Sequence, residues 1–185
     1  MHRLLARLLA RLLALLLAVI LTGCAAQAPT AATDKRVPGG QVADAKICGS
    51  IRSTLLARES GALSVLDILC NNRLVVIAGA LPPDYKLAVE AVHIATKTPG
   101  VRRVETFFVP KAARDTSDSA IAARIRIALA GDAGTRTAGT DLTVVAGTVV
   151  LVGVVDDQAE ADRIIANAGS VSGVKSVKSF IQLKP

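Results

Sequence analysis

The sequence predicts an α+β protein made of two tandem copies of one small unit, each with the element order α-β-β-α-β. The first observation is an internal repeat: a set of apolar positions recurs 74 residues later, and the offset becomes 73 towards the end of each copy. The second is that each copy alternates helical and strand-like apolar spacing. The matched positions are Ile47 and Ile121, Ile51 and Ile125, Leu55 and Leu129, Gly79 and Gly153, and Gly100 and Gly173.

The chain begins with an apolar run that carries three arginines in its front half, which is typical of a targeting segment. The uninterrupted part, residues 12–21, is shorter than the roughly 20 residues that a membrane-spanning helix needs. It ends in Leu21-Thr22-Gly23-Cys24, which resembles the bacterial lipobox. This resemblance implies that residues 1–23 are a lipoprotein signal peptide and that Cys24 is acylated, palmitate included. The alternative is an uncleaved membrane anchor.

Residues 24–43 are rich in Ala, Pro, Thr, Gln and Gly and have no apolar period, so they are expected to form a flexible tether. Ala25 follows the cysteine, and the absence of Asp there resembles the outer-membrane sorting signal. That resemblance implies a lipid anchor in the inner leaflet of the outer membrane, with the protein facing the periplasm.

The first copy is expected to span residues 44–112. Its hairpin has Arg73 where the second copy has a glycine, so its turn is expected at Asn71-Asn72. Cys48 lies on the apolar side of its first helix, and Cys70 ends its first strand on the face of the apolar residues. If that helix and strand run antiparallel, the two thiols meet, and a disulfide is expected in an oxidising compartment. The alternative is two buried free thiols.

The second copy, residues 116–185, has the same element order. Ser117 or Asp118 is expected to cap its first helix, and the Gly- and Thr-rich segment 131–139 ends that helix. A strand through Leu142 and Val144, a tight turn at Ala146-Gly147, and a strand at residues 149–152 ended by Gly153 form a hairpin. A helix over 157–170 then leads by a right-handed crossover to a parallel strand over 174–183. Each copy is therefore a two-layer sandwich with a three-stranded mixed sheet and two helices on one face.

Two motifs in each copy make the sequence similar to the BON domain family. They are Arg73-Leu74-Val75-Val76-Ile77-Ala78-Gly79 and Pro99-Gly100-Val101-Arg102-Arg103-Val104 in the first copy, and Gly147-Thr148-Val149-Val150-Leu151-Val152-Gly153 and Ser172-Gly173-Val174-Lys175-Ser176-Val177 in the second. With the lipobox, the whole chain resembles the dual-BON outer-membrane lipoproteins. The resemblance implies a periplasm-facing protein of the cell envelope.

Several function classes are disfavoured by composition. Three of the 22 basic residues lie in the leader, which leaves 19 basic against 15 acidic residues and a net charge of +4. With one Tyr and three Phe available for stacking, a nucleic-acid partner is not expected. His93 is the one histidine after the leader, and no motif of a hydrolase, metal site or P-loop occurs, so we expect no enzyme activity, no cofactor and no metal site.

The first helix of the second copy provides a candidate membrane contact. Its buried stripe points one way and Ile127 points almost opposite, with Ala120 and Ala123 nearby and Arg124 and Arg126 on its flanks. An apolar ridge bordered by arginines suits an anionic phospholipid surface, and some dual-BON lipoproteins are held to bind lipid through this helix.

The expected function is therefore anionic phospholipid binding in support of envelope integrity. Two alternatives remain. Ile127 could pack against the first copy, or the chain could be a protein-interaction module that docks on an envelope assembly such as a secretin or the β-barrel machinery.

Overall fold

The computed structural model describes residues 39–113, 115–132 and 139–184. The expected signal peptide at 1–23, the expected lipidation site Cys24 and most of the expected tether lie outside these residues. The described residues belong to one compact unit, residues 35–185, and hold two repeats of the same architecture.

Each repeat has the predicted order of helices and strands. Repeat 1 consists of α1 (Gly40–Arg58), β1 (Leu66–Asn71), β2 (Leu74–Leu81), α2 (Lys86–Lys97) and β3 (Arg103–Pro110), with a short 3-10 turn at Ala62–Ser64. A second 3-10 turn at Lys111–Ala113 leads to repeat 2, which consists of α3 (Asp118–Gly131), β4 (Thr140–Val145), β5 (Thr148–Val155), α4 (Gln158–Gly169) and β6 (Ser176–Leu183).

The two sheets have the same topology. The strand orders are β1-β2-β3 and β4-β5-β6, with the hairpin pair antiparallel and the crossover pair parallel. The α+β class and the two three-stranded mixed sheets predicted from the sequence are thus present.

The helices of each repeat cover one face of its sheet. In repeat 1 the buried stripe of α1 and the alanines of α2 pack on alternate residues of β1 and β2, and repeat 2 uses the matching positions. The alternation arises because successive side chains of a strand point to opposite faces. Ile51 and Ile125, 74 residues apart, have no exposed surface.

The opposite faces of the two sheets pack against each other, so the repeats are joined in four layers, α/β/β/α. Strands β2 and β5 are therefore buried on both faces, which explains their almost unbroken apolar sequences. The shared layer contains Leu74, Val76, Ala78, Ala80, Val145, Val150 and Val152, with Leu69, Phe107, Val109 and Phe180 at its borders.

Five boundaries differ from the sequence expectation. Helix α1 begins at Gly40, so residues 40–43 of the expected tether are helical. The first hairpin turns at Asn72-Arg73, because Asn71 still pairs with Leu74 in the ladder. Strands β2 and β5 continue for two residues beyond their glycines. The last strand begins at Ser176, two residues later than expected.

Gly79 does not end its strand but allows a close approach of two strands. A Cβ atom at this position would lie 2.2 Å from the carbonyl oxygen of Val65, just before β1 begins. Gly153 has the same place in repeat 2, where a Cβ would lie 2.9 Å from Oγ1 of Thr140. The glycines therefore recur for steric reasons rather than as strand terminators.

Candidate functional site

The exposed face of α3 is the surface that the sequence predicted as a membrane contact. Ile127 is 73% exposed, the highest value among the exposed large apolar side chains of the described residues. Ala120 and Ala123 are exposed as well. Because its side chain is this exposed, Ile127 does not pack against repeat 1. That alternative is therefore wrong.

The two arginines beside Ile127 are partly engaged within the protein. Arg124 Nη2 donates to the carbonyl oxygen of Ser172 at 3.0 Å, and Arg126 Nη2 donates to that of Leu142 at 3.1 Å. A guanidinium has five N–H donors, so both side chains keep donors for a ligand. Repeat 1 has the counterpart of the second contact, from Arg52 to the carbonyl oxygen of Ile68 at 2.6 Å. Arg126 thus has a structural role that the sequence analysis missed.

A pair of aspartates forms another contact that the sequence analysis did not predict. The Asp44 carboxylate accepts hydrogen bonds from the backbone N–H groups of Asn72 and Arg73, at 2.7 and 2.9 Å. Asp118 does the same for Ala146 and Gly147, at 2.7 and 2.8 Å. Each carboxylate therefore attaches the start of a helix to its hairpin turn instead of capping the helix. The signal was present, since the two aspartates are separated by the repeat offset of 74.

Cys48 and Cys70 form a disulfide, with Cα atoms 5.8 Å apart and a sequence separation of 22 residues. It joins α1 to β1 in repeat 1. The equivalent positions in repeat 2 are Ala122 and Val144, both buried in its core. The bridge therefore strengthens one repeat alone.

Reduction of this disulfide is expected to destabilise the protein by about 3 kcal/mol, because a bridge over a loop of this length limits the entropy of the unfolded chain. Thermal unfolding with and without dithiothreitol measures the effect. The matched control is the double variant Cys48→Ala/Cys70→Val, which copies repeat 2 and should not respond to the reductant. Equal melting temperatures for the wild type in both conditions would contradict the prediction.

A groove of about 520 Å³ lies between the repeats, where the start of β1 faces α3 and β4. Its polar lining includes Asp67, Asp115, Asp118 and Thr143, and the Thr143 hydroxyl donates to the Asp67 carboxylate at 2.8 Å. Hydrogen bonds from the backbone and side chain of Ser117 lower the pKa of Asp115 below its ordinary value. Arg126 and apolar side chains such as Leu63 and Val144 also line the groove, so its lining is mixed rather than apolar.

Catalytic and metal-binding arrangements were not expected. His93 is exposed on α2. Within residues 39–113, 115–132 and 139–184, no group of three or more His, Cys, Asp or Glu side chains is placed to hold a metal ion.

Among the residues that the structure describes, no helix is both long and apolar enough to cross a lipid bilayer.

Two solved structures align with most of the chain. The C-terminal domain of CdsD, the structural protein of the type III secretion system of Chlamydia trachomatis, aligns with 77% of this chain and 67% of its own length, at 16% identity and a TM-score of 0.31. A second CdsD structure aligns with 73% of this chain and 62% of its own, at 14% identity and a TM-score of 0.30. Such low scores carry no structural argument.

Two curated proteins are similar over most of the chain. Osmotically inducible protein Y of Escherichia coli K12 is 26% identical over 152 residues, which cover 79% of this chain and 75% of that protein. An uncharacterised protein of Anaplasma centrale, from the gshII 5′ region, is 28% identical over 147 residues, which cover 76% and 95%. The BON domain model matches residues 117–185, which include all of repeat 2. Repeat 2 therefore matches the BON domain, and most of the chain is similar to osmotically inducible protein Y.

Proposed function

We propose that this chain is a lipid-anchored protein of the cell envelope that binds anionic phospholipid through the outer face of α3 and thereby supports envelope integrity. The BON domain match and the similarity to osmotically inducible protein Y support an envelope-associated protein. The lipobox at Cys24 supports an anchor in the inner leaflet of the outer membrane, with the repeats in the periplasm.

The observation that carries the proposal is the exposure of Ile127. A large aliphatic side chain that is 73% exposed is stabilised when it leaves water for the acyl boundary of a bilayer. The favourable transfer free energy is of the order of 2 kcal/mol. Arg124 and Arg126 lie on either side of it and keep free N–H donors for phosphate oxygens. Repeat 1 has Ser53 at this position, so α3 rather than α1 is the proposed contact.

Replacing Ile127 by serine, the residue of repeat 1, is expected to weaken binding to phosphatidylglycerol vesicles about tenfold, because the apolar insertion is lost. Vesicle flotation of the unacylated chain from residue 25 onward measures this. Val89→Ser is the matched control, since Val89 is also an exposed aliphatic residue, 69% exposed, but lies on α2. Both variants should keep the wild-type circular dichroism. Equal binding by wild type and Ile127→Ser would refute the α3 contact.

A second candidate function is docking onto an envelope protein assembly, favoured by the unpaired edges of β3 and β6. Among the described residues, each of these strands lies at the edge of its three-stranded sheet and pairs with one neighbour. An unpaired strand edge is a template for an added strand. Photo-crosslinking from Ser179 in cells tests this function: a specific cross-linked envelope protein would support it, and cross-links to lipid alone would oppose it.

A further inference from the structure

Three arginines gather at the hairpin end of repeat 1. Arg73 lies in the turn between β1 and β2, and its carbonyl oxygen accepts the backbone N–H of Arg102 at 2.9 Å. Arg103 follows and pairs with Leu74 at the first position of the parallel ladder. All three are exposed. We call Arg73, Arg102 and Arg103 the arginine corner.

The equivalent corner of repeat 2 is built differently. Gly147, Lys175 and Ser176 stand at the three positions. The Lys175 side chain lies back over the turn, where its Nζ donates to the carbonyl oxygen of Ala146 at 3.2 Å. It fits because Gly147 has no side chain: a Cβ there would lie 2.9 Å from the Lys175 Cδ atom. The Lys175 side chain is therefore held over the turn by a hydrogen bond within the repeat.

Arg73 keeps a side chain at a backbone conformation that favours glycine. Its φ is 63°, in the left-handed region, and Gly147 has a φ of 81° at the matching place. A strained non-glycine residue where the repeat itself offers glycine suggests that the side chain has a function.

The charges of the corner are not balanced locally. Arg103 Nε lies 3.4 Å from Oε1 of Glu105, and the Asp44 carboxylate is occupied by the two backbone N–H groups of the turn. The side chains of Arg73 and Arg102 have no ion pair or hydrogen-bond partner among the described residues. Lys97, exposed at the end of α2, adds a further positive charge just before the loop that leads to Arg102.

We propose that the arginine corner is a second membrane contact, which binds the anionic phosphate headgroups of the membrane that anchors the chain. The position at which α1 begins supports this occupant. Helix α1 begins at Gly40, and its Asp44 is bonded to the turn that contains Arg73. The chain thus enters the folded region beside the corner. This inference rests on the lipid anchor of the proposed function, and it involves a different surface from α3.

The length of the tether supports the same occupant. Residues 25–39 separate Cys24 from the corner. Fifteen residues span at most about 50 Å even when fully extended. The anchor would therefore limit how far the corner can move from the bilayer, and arginines interact favourably with anionic lipid when they lie near the membrane surface.

The test compares Arg73→Gly/Arg102→Gln with wild type in vesicle flotation, using the unacylated chain from residue 25 onward and phosphatidylcholine vesicles with or without phosphatidylglycerol. Since each arginine near an anionic surface changes binding about fivefold, the double variant should bind the anionic vesicles about twentyfold more weakly. The difference should shrink at high salt, because mobile ions screen exposed charges. Lys175→Gln, at the equivalent position of repeat 2, should bind like wild type.

Weaker binding by the double variant would not result from unfolding. Arg73→Gly relieves a left-handed arginine, so the melting temperature should stay the same or rise by up to about 4 °C. If the double arginine variant binds anionic vesicles like wild type, the arginine corner is not a membrane contact. If Ile127→Ser alone loses binding, the corner is likewise refuted and the α3 contact is supported. A loss in the arginine variant alone would support the corner and refute α3. A wild-type chain that ignores phosphatidylglycerol would overturn both.

Discussion

Replacing Val76 by aspartate is expected to destabilise the protein by more than about 4 kcal/mol, because it buries an unpaired charge. Val76 has no exposed surface and lies in the layer shared by the two sheets. Its neighbour across the parallel ladder is Glu105, which would repel a second carboxylate. Small proteins are stable by about 5–15 kcal/mol, so this single change removes a large part of the total.

Urea unfolding followed by circular dichroism measures this loss. Val89→Asp introduces the same charge on an exposed helical position of the same repeat and should change the stability by no more than about 0.5 kcal/mol. Because the layer belongs to both repeats, the whole chain should unfold in one transition at a lower urea concentration. A second transition at the wild-type midpoint would show that the repeats do not share a core, and an unchanged single transition would contradict the burial of Val76.

Replacing Asp44 or Asp118 by alanine is expected to cost about 3 kcal/mol in each case, since two hydrogen bonds to a charged acceptor are lost together. The backbone N–H groups of the turn lose their acceptor, and the turn loses its attachment to the helix. Asp44 is only 2% exposed, so its replacement should have the larger effect of the two.

The measurement is the shift in melting temperature of Asp44→Ala and Asp118→Ala, expected at about 6–12 °C for a protein of this size. Asp84→Ala, at an exposed position between β2 and α2, is the control and should shift it by less than about 2 °C. Similar shifts for all three variants would mean that the carboxylates do not hold the turns.

The sequence predicted the elements well because their signals are local. Four-residue spacing identified the buried stripe of α1 and α3, and alternation identified β1 and β4. Recurrence at a fixed offset then let each copy support the interpretation of the other. The first turn was misplaced by one residue, since its position depends on a carboxylate 28 residues earlier that no local pattern reveals.

The sequence predicted only part of the candidate site. The pattern of α3 put Ile127 opposite the buried stripe but could not say what covers that side. The contact of Arg126 with the carbonyl of Leu142 also depends on where the sheet edge lies. Both the exposure of Ile127 and the contact of Arg126 depend on how the elements pack in the folded protein.

By itself the sequence determined the duplicated α-β-β-α-β unit, the faces that meet within each repeat, and the pair of cysteines able to join. Side-chain periodicity carries this information, because a helix or strand must bury the same face wherever its apolar residues recur. The tertiary structure decided that the sheets pack against each other and that α3 and the arginine corner remain exposed. That choice depends on how two apolar sheet faces fit together, a long-range property that no window of the sequence contains.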